Sequence, residues 1–223
     1  MNAWRMLRFS MTREWALIRR HVPRGGRVLE AGCGFGEWVS FLNRRGYRAE
    51  GLDYSAELVR RLVETYPTLQ WRQGDVRQLP YESASLDAVV SWGVIEHDEA
   101  GPSRALSEFH RVVKQGAAVI VTVPIDSPAQ RRSAEYLYYG TERPQTFFQY
   151  FMTREELRQH LVDAGFAVVD DGILPNAVLQ LVSPAMSARL RGLPFRAANF
   201  AVSMLMSWIP KYCVMRYAVG VKR

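Results

Sequence analysis

The chain has 223 residues, 48% of them hydrophobic, with a net charge of +7, two cysteines and four histidines. That is enough chain for one sizeable core, while the far-apart Cys33 and Cys213 and the scattered His21, His97, His110 and His160 exclude a disulfide framework and any zinc site of recognisable spacing. Charge is segregated, because residues 1–27 carry seven Arg against one Glu, residues 174–223 carry seven Lys or Arg and no acid, and the stretch between is acidic; two solvated basic faces or a polyanionic neighbour both fit that pattern.

In residues 1–26, Trp4, Leu7, Met11, Trp15 and Ile18 recur at steps of three and four with arginines between them, which predicts one amphipathic helix. The segment lacks the continuous apolar core of a secretory signal, so a cytoplasmic protein is expected. Val28 and Leu29 then read as a short buried strand running into Glu30-Ala31-Gly32-Cys33-Gly34-Phe35-Gly36, and Glu37 to Leu42 open a helix with Trp38, Phe41 and Leu42 on one side. Strand, glycine turn and helix in that order bring a ligand against bare backbone N–H groups. The spacing is G-x-G-x-G behind an acid, not the G-x-G-x-x-G of dinucleotide folds. A carboxylate there repels phosphate but pairs with an α-amino group or a ribose hydroxyl. The implied ligand is a nucleoside carrying an amino acid, which describes S-adenosylmethionine.

A second strand, Arg48 to Asp53, ends in an acid 17 residues beyond Gly36, close to the spacing of about 20 at which a ribose-binding acid is expected. A third, Leu69 to Asp75, ends in another, so three acids are expected on one sheet edge. Ser85 to Trp92 reads as the fourth strand, followed by Gly93-Val94-Ile95-Glu96-His97-Asp98. Ser103 is expected to cap a helix that runs to about Lys114 and stops at Gly116, and Ala117 to Val123 is a continuous apolar run suited to a strand covered on both faces. Residues 126–152 are dense in aromatics, among them Tyr136, Tyr139, Phe148 and Tyr150, and are expected to line an apolar acceptor pocket. Thr153-x-x-Glu156 is a capping box for the next helix. Phe166 to Ile173 and Tyr212 to Val221 make a closing strand pair. Between them, residues 174–211 are apolar and basic with no acid; their apolar run from Ala197 to Ile209 is too short for a bilayer span of about 20 residues, and the segment is suited to a helix in an anionic membrane interface, a pocket cap or a dimer face.

With the glycine turn and the three strand-end acids, the chain closely resembles the class I S-adenosylmethionine-dependent methyltransferases over residues 27–173. The resemblance implies an α/β, Rossmann-like doubly wound sheet of seven strands with the last antiparallel. It forms a single domain with a helical insertion at 174–211 and a closing strand at 212–223. It also implies S-adenosylmethionine as cofactor, and an N-terminal helix packed over the cofactor site. In such a site Glu30, Ala31, Gly32, Gly34 and Gly36 form the turn, Asp53 and Tyr54 hold the ribose end, Asp75 accepts the adenine amino group, the Val76 backbone touches the ring, and Trp92 and Gly93 complete the edge. His97, the histidine nearest a strand's carboxyl end, is the candidate general base or acceptor hydrogen-bond partner. No metal is expected. Ser91-Trp92-Gly93-Val94 departs from the Asn- or Asp-Pro-Pro-Tyr/Phe loop of enzymes that methylate amino groups of nucleic acids, so nucleic acid is not the expected partner. The leading expectation is O-methylation of a small-molecule or lipid-linked acceptor, cytoplasmic or peripheral on the inner face of a membrane. An RNA-modifying methyltransferase and a non-catalytic cofactor-binding protein are the alternatives.

Overall fold

The computed structural model describes residues 3–126, 149–175 and 213–223. Seven strands, β1 (Arg27–Ala31), β2 (Arg48–Asp53), β3 (Gln70–Gln73), β4 (Leu86–Trp92), β5 (Val113–Pro124), β6 (Phe166–Pro175) and β7 (Cys213–Lys222), form one sheet in the order β3-β2-β1-β4-β5-β7-β6. Only β7 runs antiparallel to its neighbours, between β5 and β6. The helices are α1 (Ala3–Ser10), α2 (Arg13–His21), α3 (Glu37–Arg44), α4 (Ala56–Thr65), α5 (Ser103–Val112) and α6 (Arg154–Asp163). This is the doubly wound architecture that alternating strands and helices dictate. Two apolar clusters cover the faces of the sheet, one around Leu106, Phe109, Leu157 and Leu161, the other around Ile18, Val39, Phe41 and Leu42. Strands β4 and β5 are buried on both sides, which accounts for their unbroken apolar runs.

Four local expectations need correction. The N-terminal segment is two helices, because the Thr12 hydroxyl accepts the Trp15 N–H at 3.2 Å and donates to the Phe9 carbonyl at 2.9 Å, stopping one helix and capping the next. Ser103 is the first residue of α5 and not its cap; Pro102 holds that position, with its carbonyl accepting from Leu106 N–H at 3.0 Å. Helix α5 ends at Val112, and the chain turns at once into β5, so Gly116 (φ +75°) lies in an irregular stretch of that strand where pairing jumps from Leu86↔Val113 to Ala88↔Ala118. Strand β3 stops at Gln73, two residues short of Asp75, which belongs to the following turn. The capping box at Thr153 and Glu156 forms as its spacing dictates.

Candidate active site

All strands but β7 point the same way, so the carboxyl ends of β1, β2 and β4 share one edge. Glu30 sits there, 3% exposed, and its Oε2 accepts the backbone N–H of Val39 at 3.1 Å. That N–H is one of the unsatisfied donors in the first turn of α3, so the acid preceding the glycines closes the helix terminus where a dinucleotide fold leaves it open to phosphate. Burial raises the Glu30 carboxyl well above the ordinary range, against the lowering by the Val39 bond, and the charges of Asp53 and Glu37 push it further.

The glycines divide their work. Gly32, Gly34 and Gly36 all have positive φ (+79°, +50° and +68°), which suits glycine over other residues. A Cβ on Gly32 would lie 2.4 Å from Val94, and one on Gly36 would lie 2.3 Å from the Trp71 indole, whereas Gly34 faces open space. The turn's donors are also largely consumed: Gly32 and Cys33 N–H donate to the Leu52 carbonyl at 2.8 and 2.9 Å, and Gly34 N–H donates to Asp53 Oδ2 at 2.9 Å. With Gly36 N–H donating to the Cys33 carbonyl at 2.9 Å, none of the three glycines offers the bare N–H expected of it, and only Gly34 has open space beside its Cα. Cys33 is buried, and burial together with Glu30 and Asp53 pushes its thiol up, so it is no nucleophile.

Beside this turn two large aromatic side chains are bare, Phe35 at 80% and Tyr54 at 76% exposure. Apolar surface of that size next to a buried acid and a half-buried one fits a flat, amine-bearing nucleoside, which would cover the rings and meet the carboxylates. Asp75 is within reach of the same edge, since the adjoining Gly74 N–H donates to the Asp53 carbonyl at 3.0 Å. Its carboxylate is already held by Arg77 through Nε at 3.0 Å and Nη2 at 2.7 Å, which lowers its pKa. Arg77 also lies 3.6 Å from Asp98, linking the turn after β3 to the loop after β4. Val76 packs partly buried against the core. Helix α1 approaches from the side: Arg5 lies 3.0 Å from Glu37 at the start of α3, and Phe9 packs edge-on against Trp38, with ring centroids 4.6 Å apart.

At the end of β4, Trp92 packs 5.5 Å from Trp38, and Gly93 (φ +67°) donates its N–H to Thr122 Oγ1 at 2.9 Å. Residues Ile95–His97 form a short 3-10 turn in which His97 is exposed and Glu96 is 1% exposed. Glu96 Oε1 lies 3.3 Å from where a Gly93 Cβ would stand, while Oε2 and Trp92 Nε1 are buried without a hydrogen-bond partner among the described residues. Burial pushes the Glu96 carboxyl up to about 8. Residue type points to His97 and not to Glu96, whose burial comes from the packing of this turn against β5 and Tyr150. Tyr150 fastens that loop, donating its N–H to the Glu96 carbonyl at 2.9 Å and its hydroxyl to the Glu99 carbonyl at 2.8 Å. Tyr136, Tyr139 and Phe148 lie outside the described residues. Among the described residues no group of acids, histidines and cysteines could hold a metal ion, and no helix is long and apolar enough to cross a membrane.

Residues 8–171 match the family model described as a methyltransferase domain. A Mycolicibacterium smegmatis protein named as an S-adenosylmethionine-dependent methyltransferase is 35% identical over 159 residues, covering 67% of this chain and 55% of its own length. The malonyl-[acyl-carrier protein] O-methyltransferase of Pectobacterium atrosepticum is 29% identical over 141 residues, covering 63% of this chain and 54% of its own. This chain thus spans about half the length of these curated relatives. In fold it matches a chain from the complex of the Haloferax volcanii Trm112 activator with a methyltransferase, with a TM-score of 0.66, 24% identity and coverage of 98% of this chain and 94% of that one.

Proposed function

The chain belongs to the class I S-adenosylmethionine-dependent methyltransferases, and we propose that within that family it methylates an oxygen of a small-molecule or lipid-linked acceptor. The observation that carries this reading is the pair at the end of β4, a buried Glu96 carboxyl with one oxygen unpaired among the described residues, beside the exposed imidazole of His97. A hydroxyl acceptor must lose a proton as it is methylated, and the His97 imidazole can take it, whereas a carboxylate acceptor needs only to be aligned. When bound, S-adenosylmethionine supplies an electrophilic methyl group on its sulfonium. Glu30 and Asp53 would hold its amino and ribose groups, and Phe35 and Tyr54 would cover its flat end. What remains for the chain is alignment, because an in-line displacement depends on holding the two reactants in register. His97 is assigned the acceptor's hydrogen bond and proton, and Glu96 the polar floor beneath it. The malonyl-[acyl-carrier protein] O-methyltransferase among the relatives supports an oxygen acceptor. The aromatic stretch that includes Tyr136, Tyr139 and Phe148 is assigned to the acceptor side. The basic, apolar 174–211 segment is assigned to an anionic membrane surface, a cap or a dimer face.

Methyl-labelled cofactor supplied with separated lipid, small-molecule and RNA fractions tests the reading. Label in an alkali-labile methyl ester or in an ether of the first two fractions is the expected result. Label confined to RNA overturns it. For the lipid-linked version, the protein should also sediment with anionic vesicles at low salt and much less with neutral ones.

A further inference from the structure

At the opposite edge of the sheet, where β1, β2 and β3 begin, lies a cleft of about 380 Å³ lined by Arg27, Arg48, Glu50, Gln70 and Arg72 among others. Its floor is Glu50, only 6% exposed. Arg27 presents Nε to Glu50 Oε1 at 2.7 Å, Arg72 presents Nε at 3.7 Å from Oε2, and the Tyr81 hydroxyl donates to the same oxygen at 3.1 Å. Both guanidiniums also lie over the Tyr81 ring, 5.7 and 5.4 Å from its centroid. One buried carboxylate and one aromatic ring therefore orient two arginines through their inner nitrogens, and among the described residues no hydrogen bond engages their terminal Nη groups. Arg48 stands beside them, its Nε donating to the Gly25 carbonyl at 3.1 Å. Its nearest acid, Asp87 at 3.8 Å, is already held by Lys114 at 2.6 Å and by the Arg27 N–H at 2.7 Å.

Three guanidiniums face this cleft against one carboxylate, Asp87 being balanced by Lys114, so the cleft carries a surplus of two positive charges. Like charges gathered at a concave surface repel one another and raise the local concentration of anions. Guanidinium forks match the oxygens of phosphate in pairs, and the cleft's size lies in the range of small-ligand pockets. We propose that this cleft is a second binding site, for a phosphate dianion borne by inorganic phosphate or by a small organic phosphomonoester. It is separate from the methyl-donor crevice, since β2 alone, from Arg48 to Asp53, spans about 16 Å between the two edges. It therefore stands whatever acceptor the enzyme methylates.

Titration calorimetry of the full chain with inorganic phosphate and with glycerol 3-phosphate, each at an ionic strength matched by sodium chloride, tests it. The expected result is saturable one-site binding, tighter at pH 8 than at pH 5.5 where the dianion is depleted. Whichever of the two ligands binds more tightly identifies the source of the phosphate. The Arg48→Gln, Arg72→Gln double variant should weaken binding at least tenfold while leaving the affinity for S-adenosylhomocysteine unchanged. Both side chains are half exposed or more, and Arg48→Gln alone serves if the double variant does not fold. No saturable heat beyond that of sodium chloride, or a double variant that titrates like the parent, overturns the proposal.

Discussion

Asp53 accepts the backbone N–H of Gly34 at 2.9 Å, so the acid assigned to the ribose also fastens the open glycine of the first turn to the end of the second strand. Its other oxygen accepts from Ser55 N–H at 3.0 Å, ahead of α4. Asp53→Ala removes a charged acceptor from the ligand and a tie from the turn. It is expected to weaken S-adenosylmethionine binding by about 2 kcal/mol or more, read by titration calorimetry. Unchanged affinity would remove Asp53 from the cofactor site.

His97→Ala is expected to lower turnover roughly 10²-fold with cofactor affinity and thermal midpoint nearly unchanged, because the side chain is exposed and its assigned work is on the acceptor. A variant of near-normal rate excludes the proton role. A fall in stability alongside rate would make it a support for the loop.

Glu96 gives a pH signature. Its carboxyl titrates near 8 in the folded protein against 4.5 for the ordinary group. Between those values the folded chain keeps a proton that the unfolded chain has released, so this contribution to stability is complete below the lower value and is lost as pH rises toward the upper one. Replacing Glu96 with Gln keeps the neutral hydrogen-bonding shape and removes the titration. The thermal midpoint of the parent should therefore fall more steeply from pH 5 to pH 8.5 than that of Glu96→Gln. Parallel curves would sink the assignment.

The Trp71 indole packs where side chains at Gly36 and Gly51 would stand, 2.3 and 2.7 Å from the would-be Cβ atoms. Gly51 has ordinary backbone angles, so Gly51→Ala probes overpacking without dihedral strain, against Trp71 and against Cys33 Sγ at 2.8 Å. It should destabilise by about 1–3 kcal/mol. Trp71→Leu in the same chain should recover part of that loss in a double-mutant cycle by chemical denaturation. Additive losses would show that the indole is not the obstruction.

The glycine turn and the acid ahead of it were legible because the chemistry is local: positive φ selects glycine, and a carboxylate beside a helix start selects against phosphate. What each glycine does was not legible, since Val94 and Trp71 come from distant strands and loops. The same limit separates Glu96 from His97. Residue type pointed to the imidazole, while the burial that makes Glu96 unusual is a product of the closed sheet. The helix break at Thr12 carried a local signal, a hydroxyl three residues before Trp15, but the apolar period ran across it and dominated the reading. At Gly116 the sequence does not separate a helix stop from an irregular strand, since both use the same left-handed residue. The strand positions came through best, as continuous apolar runs admit few other placements in a doubly wound fold.

Strand β7, the last of the sheet in chain order, lies between β5 and β6. As the polypeptide emerges from the ribosome, β6 therefore appears before the strand it pairs with. The Ala117–Val123 row of β5 meanwhile offers an unfilled edge of backbone donors and acceptors along a buried strand that is apolar except at Thr122. Such an edge is where a nascent chain meets other chains. Pairing across so long a stretch of sequence also makes the closing step slow. The order of strands in space thus exposes the middle of this sheet until β7 has been made, a window that chaperone capture would have to cover.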